Sequence, residues 1–215
     1  MKTPILYSFK RCPYAMRARM ALKLANIKCE LREIRLNNKP DHMLEVSSKG
    51  TVPVLILEDR IVDESLEIIN WVISLEDIFN EAITEDEMIL TERLIRDFDR
   101  DFKHHLDRYK YSTRYENVDL TEHRSLCMQM LVKIEDLVSE KNWFFGSKVS
   151  KLDISILPFI RQFRIADTDW FDNQKSIPKV QQLLNNFLES DILKDVMINY
   201  KLWKKDSDPI YFPPK

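Results

Sequence analysis

A single cysteine, Cys12, stands where the sequence can place a reactive thiol. An apolar run from Ile5 to Phe9 precedes it, and Pro13 follows it at the start of a helical pattern. Proline suits the first position of a helix because its missing N–H would be unpaired there. Cys12 would then face the free amides and the positive dipole end of the helix, which stabilise a thiolate. Thiols in such sites have pKa values of about 3.5–7.5 instead of about 8.5.

The residues after Cys12 limit the chemistry that this thiol can perform. The motif reads Cys12-Pro13-Tyr14-Ala15 and holds no second cysteine. We expect Cys29, in a strand pattern, and Cys127, on a helix face, to be buried structural residues. That reading is also the alternative for Cys12 itself. If Cys12 is reactive, a soluble thiol must resolve its mixed disulfide, and glutathione is the first candidate.

Two further segments have the character of a binding site. Pro53 opens a strand and cannot donate a hydrogen bond to the sheet. A cis Val52–Pro53 bond would present the Val52 backbone to a ligand, whereas the alternative is an edge-strand proline. Ser65 can cap the helix that follows it, leaving free amides for a carboxylate, and Glu64 can receive an ammonium. An adjacent ammonium and carboxylate describe the γ-glutamyl end of glutathione, and the alternative is an ordinary helix cap.

Composition excludes several other classes of function. The 215 residues carry 33 Lys+Arg against 35 Asp+Glu, and a net charge of −2 does not favour nucleic-acid binding. With only two glycines, Gly50 and Gly146, no glycine-rich phosphate loop can be written. The cysteines and histidines lack the spacing of metal ligands, so we expect no metal. No apolar run approaches the roughly 20 residues of a membrane span, and residues 1–9 are too short for a secretion signal. We therefore expect a cytoplasmic protein.

The elements that would position these residues change in character near residue 80. Short β-branched runs alternate with helical patterns over residues 1–77, in the order βαβαββα, which predicts an α/β layer with a mixed sheet. The predicted linker is residues 77–84. Residues 85–215 are predicted to form an all-helical domain, beginning with a long helix over residues 85–110 and ending in an irregular tail. Capping boxes are predicted at Asp119–Glu122 and Ser150–Asp153.

Together these motifs resemble the glutathione transferase superfamily, and most closely its omega class and omega-like bacterial members. The resemblance rests on Cys-Pro-Tyr-Ala followed by Met-Arg-Ala-Arg, on Asn38-Lys39-Pro40, on Thr51 to Leu55, on Glu64-Ser65, and on the stretch Ser150 to Phe163. It covers nearly the whole chain in order and spacing. It implies a thioredoxin-like N-terminal domain followed by the helical C-terminal domain of glutathione transferases.

The resemblance also implies roles for individual residues. Cys12 would form a mixed disulfide with glutathione, the cosubstrate, and Tyr14 would be the aromatic residue of the glutathione site. The residues that would hold glutathione are Lys39 at its glycine carboxylate, Val52 and cis-Pro53 at its cysteinyl part, and Glu64 and Ser65 at its γ-glutamyl group.

The activity implied is thiol transfer, including deglutathionylation and dehydroascorbate reduction, on an unidentified electrophile or glutathionylated thiol. A homodimer is also implied, without nucleic-acid or membrane partners. Two readings of another class stay open. One is a non-catalytic interaction module resembling stringent starvation protein A, and the other is a carrier of apolar ligands on the same fold.

Overall fold

The computed structural model describes residues 2–79 and 83–214 and divides the chain into two compact units. The first unit comprises Met1–Ile78 with Ser190–Lys215, and the second comprises Phe79–Glu189. Within the described residues, no helix is long and apolar enough to cross a bilayer. The linker predicted over residues 77–84 lies partly outside the described residues.

The first unit is built on a mixed sheet of five strands in the order β4-β3-β1-β2-β5. Strands β1 and β2 are parallel, and the other neighbouring pairs are antiparallel. The strands are β1 (Ile5–Ser8), β2 (Cys29–Glu33), β3 (Val54–Ile56), β4 (Ile61–Val62) and β5 (Tyr211–Phe212), and the helices are α1 (Pro13–Leu24), α2 (Asp41–Val46), α3 (Ser65–Leu75) and, late in the chain, α10 (Asp191–Val196). The predicted order βαβαββα and the mixed sheet are confirmed.

The end of the chain differs from the sequence prediction, which assigned it to the helical domain as an irregular tail. Tyr211 and Phe212 form β5 against Glu30 and Cys29 of β2. The Trp203 amide also donates to the Glu33 carbonyl at 2.8 Å. The edge of β2 carries unpaired backbone groups, and the tail satisfies them. A two-residue strand is too short for an alternating pattern to reveal it in the sequence.

The second unit is helical. Its helices are α4 (Glu85–Asp97), α5 (Lys103–Lys110), α6 (Leu120–Glu135), α7 (Lys151–Ala166), α8 (Thr168–Asp172) and α9 (Pro178–Glu189). Helix α7 is central, since eleven of its 16 residues are buried. The single long helix predicted over residues 85–110 is interrupted by a π-helical segment, Phe98–Phe102, between α4 and α5. Within it, the buried rings of Phe98 and Phe102 stack with centroids 4.5 Å apart.

The predicted helix starts have mixed outcomes. Ser150 and Asp153 form a complete capping box at α7, as predicted. At α6 the Asp119 side chain accepts hydrogen bonds from the amides of Thr121 and Glu122, which is a simple N-cap. A second complete box, formed by Thr84 and Glu87 at the start of α4, was not predicted. Its Thr-x-x-Glu spacing was the signal that could have revealed it.

Candidate active site

Cys12 lies at the junction of β1 and α1, where the sequence predicts it. It is the N-cap residue of α1 with extended backbone angles, and Pro13 is the first helical residue. The Met16 amide donates to the Cys12 carbonyl at 2.9 Å and closes the first turn. The first turn of α1 holds no acidic residue, so no side-chain carboxylate there offsets the positive end of the helix dipole.

Of the three cysteines, Cys12 is the one that is partly exposed. Cys29 and Cys127 are fully buried, as predicted. Burial raises the pKa of the Cys29 thiol to about 12 and raises that of Cys127 as well. Neither buried thiol is therefore suited to act as a nucleophile at neutral pH.

The structure brings Val52 next to the cysteine. The Cys12 Sγ lies 3.6 Å from the Val52 carbonyl oxygen, although 40 residues separate them in sequence. The Val52–Pro53 peptide bond, which the sequence left open, is cis. Val52 is buried, so its backbone and the thiol lie at the edge of the apolar core of the first unit.

Lys39 approaches the same segment through Gly50. The Gly50 backbone has φ of +59°, a conformation that favours glycine. A Cβ at that position would lie 3.3 Å from the Lys39 Nζ and 3.3 Å from Leu44 Cδ2. The ammonium of Lys39 therefore lies against Gly50, two residues before Val52. Sequence reasoning missed Gly50, although its place directly before the Thr51-Val52-Pro53 motif was a signal.

Glu64 and Ser65 stand at the start of α3, with one difference from the prediction. Glu64 is the N-cap residue and Ser65 is the first helical residue, whereas the sequence suggested Ser65 as the cap. The Ser65 hydroxyl accepts a hydrogen bond from Arg17 Nη1 at 3.4 Å. Arg17 is fully buried, and its guanidinium lies 5.3 Å from the centre of the Tyr14 ring. Arg17 thus connects Tyr14 to Ser65.

The Glu64 carboxylate is paired with a lysine that the sequence analysis did not single out. Lys49 Nζ lies 2.6 Å from Glu64 Oε1 and 3.1 Å from Asp63 Oδ1. These hydrogen bonds raise the pKa of Lys49. The pKa of Asp63 is lowered, chiefly by the hydrogen bond from the Ser47 hydroxyl at 2.8 Å. A lysine ammonium therefore occupies the position at which the sequence predicts a ligand's ammonium.

Tyr7, a second residue that could activate a thiol, is engaged elsewhere. Its side chain is fully buried, and its hydroxyl lies 2.8 Å from His42 Nδ1 and 2.8 Å from Arg32 Nη1. Burial raises the pKa of Tyr7. Tyr7 is therefore a buried aromatic residue of β1.

Several aromatic side chains of the second unit belong to its core. Phe98, Phe102 and Tyr109 are buried, and rings of Phe102 and Tyr109 both contact Phe163. Across residues 2–79 and 83–214, no three His, Cys, Asp or Glu side chains converge to hold a metal ion.

Sequence comparison finds glutathione transferase relatives. The family model for "Glutathione S-transferase, N-terminal domain" matches residues 6–81. A protein of Aplysia californica described as "Probable glutathione transferase" is 31% identical over 96 residues, which cover 45% of this chain and 97% of that protein.

Solved structures extend the similarity to most of the chain. The tau class glutathione S-transferase of mango, Mangifera indica, matches with a TM-score of 0.79 at 23% identity, covering 92% of this chain and 93% of that one. Glutathione transferase Omega 3C of Trametes versicolor matches with a TM-score of 0.76 at 17% identity, covering 94% and 92%. At these identities the likeness shows the fold.

Proposed function

Because this chain belongs to the glutathione transferase superfamily, we propose that it is a glutathione-dependent thiol transferase of omega type with Cys12 as its nucleophile. One observation carries the proposal: the partly exposed Cys12 thiol stands at the start of α1, 3.6 Å from the Val52 carbonyl. Tau and omega structures match the fold almost equally, so the fold does not select the class. A thiolate can form a mixed disulfide with glutathione, which a serine or tyrosine hydroxyl cannot.

The proposed reaction has two displacement steps. The Cys12 thiolate attacks the glutathionyl sulfur of a mixed disulfide, the S–S bond breaks, and the acceptor leaves as a thiolate. A glutathione thiolate then attacks the glutathionyl sulfur now bound to Cys12. Oxidised glutathione leaves, and the Cys12 thiolate is restored. The free glutathione and the glutathionyl group taken from the substrate leave together as oxidised glutathione, so no second protein cysteine is required.

The surrounding residues suit the parts of glutathione. The Val52 backbone, ahead of Pro53, would pair with the cysteinyl part and keep its sulfur beside Cys12. Lys39 would receive the glycine carboxylate. The Ser65 hydroxyl and the free amides at the start of α3 would bind the γ-glutamyl carboxylate.

Glu64 would receive the γ-glutamyl ammonium in place of the Lys49 ammonium. The Tyr14 ring would lie beside the ligand, held by the buried Arg17 guanidinium. We place the reaction in the cytoplasm, where the glutathione pool keeps thiols reduced.

A groove on the second unit supports a homodimer. It measures about 540 Å³ and is lined by apolar side chains that include Leu94 and Met130. The same lining carries charges of both signs, including Arg93 and Asp97. A two-fold axis can bring such a patch against its own copy with opposite charges facing. Sedimentation of the purified protein at several concentrations tests this: a mass of one chain at all of them would contradict the dimer.

The test of the proposed activity is reduction of a small glutathionyl mixed disulfide, coupled to glutathione reductase. Wild type is compared with Cys12→Ser, and Cys127→Ala serves as the matched control because that thiol is buried. We expect turnover in wild type and in Cys127→Ala, and its loss in Cys12→Ser. Full activity in Cys12→Ser would overturn the mechanism.

The other outcomes separate the alternatives. Glutathione binding without turnover in wild type would replace the proposal with a conjugating enzyme or an apolar-ligand carrier. Neither binding nor turnover would replace it with a non-catalytic interaction module.

A further inference from the structure

A buried charged pair lies behind the segment that carries Cys12. Arg19 follows Cys12 by two turns of α1, and its side chain is fully buried. Its Nη2 donates to the Lys10 carbonyl oxygen at 2.6 Å. The Lys10 amide donates to Glu33 Oε1, also at 2.6 Å. Both backbone groups of Lys10, two residues before Cys12, are therefore held by this pair.

The Arg19 guanidinium and the Glu33 carboxylate do not form a close ion pair. Arg19 Nη1 and Glu33 Oε2 are 4.0 Å apart. Among the described residues, the Nε and Nη1 groups of Arg19 and the Oε2 atom of Glu33 have no hydrogen-bond partner. A buried ion pair is stable only with close geometry and satisfied hydrogen bonds. A simple structural brace would be expected to form the closer, two-bonded arrangement that arginine and carboxylate groups favour.

Both groups show the electrostatic effect of this arrangement. Burial lowers the pKa of Arg19 to about 10, while Glu33, Cys12 and Tyr200 act to raise it. Arg19 therefore remains charged at neutral pH. Burial also raises the pKa of Glu33, because it disfavours the charged carboxylate that would neutralise Arg19.

We propose that Arg19 is a positioning residue for Cys12: its guanidinium fixes the Lys10 carbonyl, and its loosely compensated positive charge stabilises the Cys12 thiolate. The inference rests on the proposed function, in which that thiolate is the nucleophile. Other positive groups lie near the segment, but they are arranged differently. The Arg17 guanidinium, which is also buried, donates to Ser65 and lies near the Tyr14 ring. The Lys10 ammonium bonds to the Asn199 side chain, and the Arg11 guanidinium lies over the Phe9 ring. A buried charge is screened by solvent much less than an exposed one.

The test measures the thiol directly in the full chain, without glutathione or an acceptor. Cys12 is alkylated with iodoacetamide at a series of pH values, and its rate is followed by mass spectrometry of the peptide that contains it. The midpoint of the rate profile gives the pKa of the Cys12 thiol. The buried Cys29 and Cys127 serve as internal references for folding, because they become reactive only when the protein unfolds.

Three variants separate charge from bracing. Arg19→Met should raise the Cys12 pKa by about one unit, a tenfold smaller thiolate fraction, because a positive charge is removed. Glu33→Gln should lower it, because the counter-ion is removed. A purely structural role would not lower the pKa in Glu33→Gln, because the glutamine side-chain oxygen can still accept from the Lys10 amide. Shifts in the same direction, or no shift, would overturn the proposal.

Arg19→Met leaves a buried carboxylate without its partner, which is strongly destabilising. The double variant Arg19→Met/Glu33→Gln avoids this problem, and its reference is Glu33→Gln alone. The double variant should have the higher Cys12 pKa, again by about one unit. Equal pKa values in these two variants would overturn the inference. Because alkylation needs no glutathione, its result stands apart from the turnover assay that tests the proposed function.

Discussion

Two helix starts, one in each unit, use their first-turn amide groups for different purposes. Helix α7 begins with a closed cap: Asp153 Oδ2 accepts from the Ser150 amide at 2.9 Å, and Ser150 Oγ accepts from the Asp153 amide at 3.3 Å. The other Asp153 oxygen accepts from the Phe144 amide at 2.9 Å. Helix α1 begins with Cys12 and Pro13, and its first turn holds no acidic residue.

The capped start of α7 stabilises the fold, whereas the uncapped start of α1 serves the proposed reaction. At α7 a buried carboxylate satisfies the amides and ties a preceding loop to the helix, which stabilises the fold. At α1 no side chain caps the first turn, so the positive end of the dipole remains available to a thiolate or to a ligand. Four changes test how far this division holds, beginning with the largest expected effect.

Cys12→Ser should abolish activity and spare the fold. We expect turnover of a glutathionyl disulfide to fall by more than about 100-fold, because the hydroxyl cannot form the mixed disulfide. The free energy of unfolding should change by less than about 0.5 kcal/mol, since the residue is only partly buried and the change is small. The coupled assay and urea denaturation measure the two effects. A large loss of stability would mean that α1 also depends on this residue for its start.

Asp153→Ala should destabilise the fold and spare the activity. The change leaves the buried amides of Phe144 and Ser150 without their acceptor, so we expect a loss of about 4 kcal/mol in the free energy of unfolding. Turnover per folded molecule should stay within about twofold of wild type, since Asp153 belongs to the other unit. Urea denaturation and the coupled assay at low temperature check both. An unchanged unfolding curve would contradict the structural role of the cap.

The same carboxylate should make stability depend on pH. Burial raises the pKa of Asp153 to about 6, above the value near 3.9 of the unfolded chain. The folded state therefore holds the proton more tightly, so this contribution is full below about pH 4 and is lost as the pH rises through about 6. The loss is up to about 3 kcal/mol.

Asp153→Asn is the control for this titration, because it cannot ionise. Subtracting its unfolding free energies from those of wild type removes the effects of Glu33, whose pKa is also raised, and of Asp63, whose pKa is lowered. A wild-type curve that runs parallel to the Asn curve between pH 4 and 7 would show that Asp153 does not titrate there.

The smallest effect concerns a third helix start, that of α3. The Lys49 ammonium now pairs with Glu64, so Lys49→Met should free the carboxylate for a ligand's ammonium. We expect glutathione to bind about threefold more tightly, the modest size typical of an exposed pair. Calorimetry measures the binding, and Lys194→Met, which removes another exposed and paired lysine, is the control. Weaker binding would mean instead that Lys49 contacts the ligand.

Much of the fold could be predicted because its signals are local. The order of the first seven elements, the place of Cys12 before Pro13, and the α7 cap all follow from patterns within a few residues. The π-helical segment was missed because apolar residues recur at every fourth position from Leu90 to Leu106, without a break in the sequence.

The candidate site was less accessible to sequence reasoning. The types and order of its residues could be read, but their partners could not. Lys49 beside Glu64 and Arg17 beside Ser65 are contacts across 15 and 48 positions. No periodic pattern encodes such pairs.

The sequence by itself determined which reactive and capping residues stand at the starts of helices. A cysteine followed by proline at a strand–helix junction, and a serine three residues before an aspartate, set the character of two helix starts through short-range geometry. The tertiary structure alone decided which distant groups meet them. It brought Glu33 and Arg19 around the Lys10 backbone, Val52 to the Cys12 thiol, and the chain end to the edge of β2. The physical reason is that contacts between distant residues form only when the whole chain folds. The residues next to each partner in the sequence do not specify which contacts form.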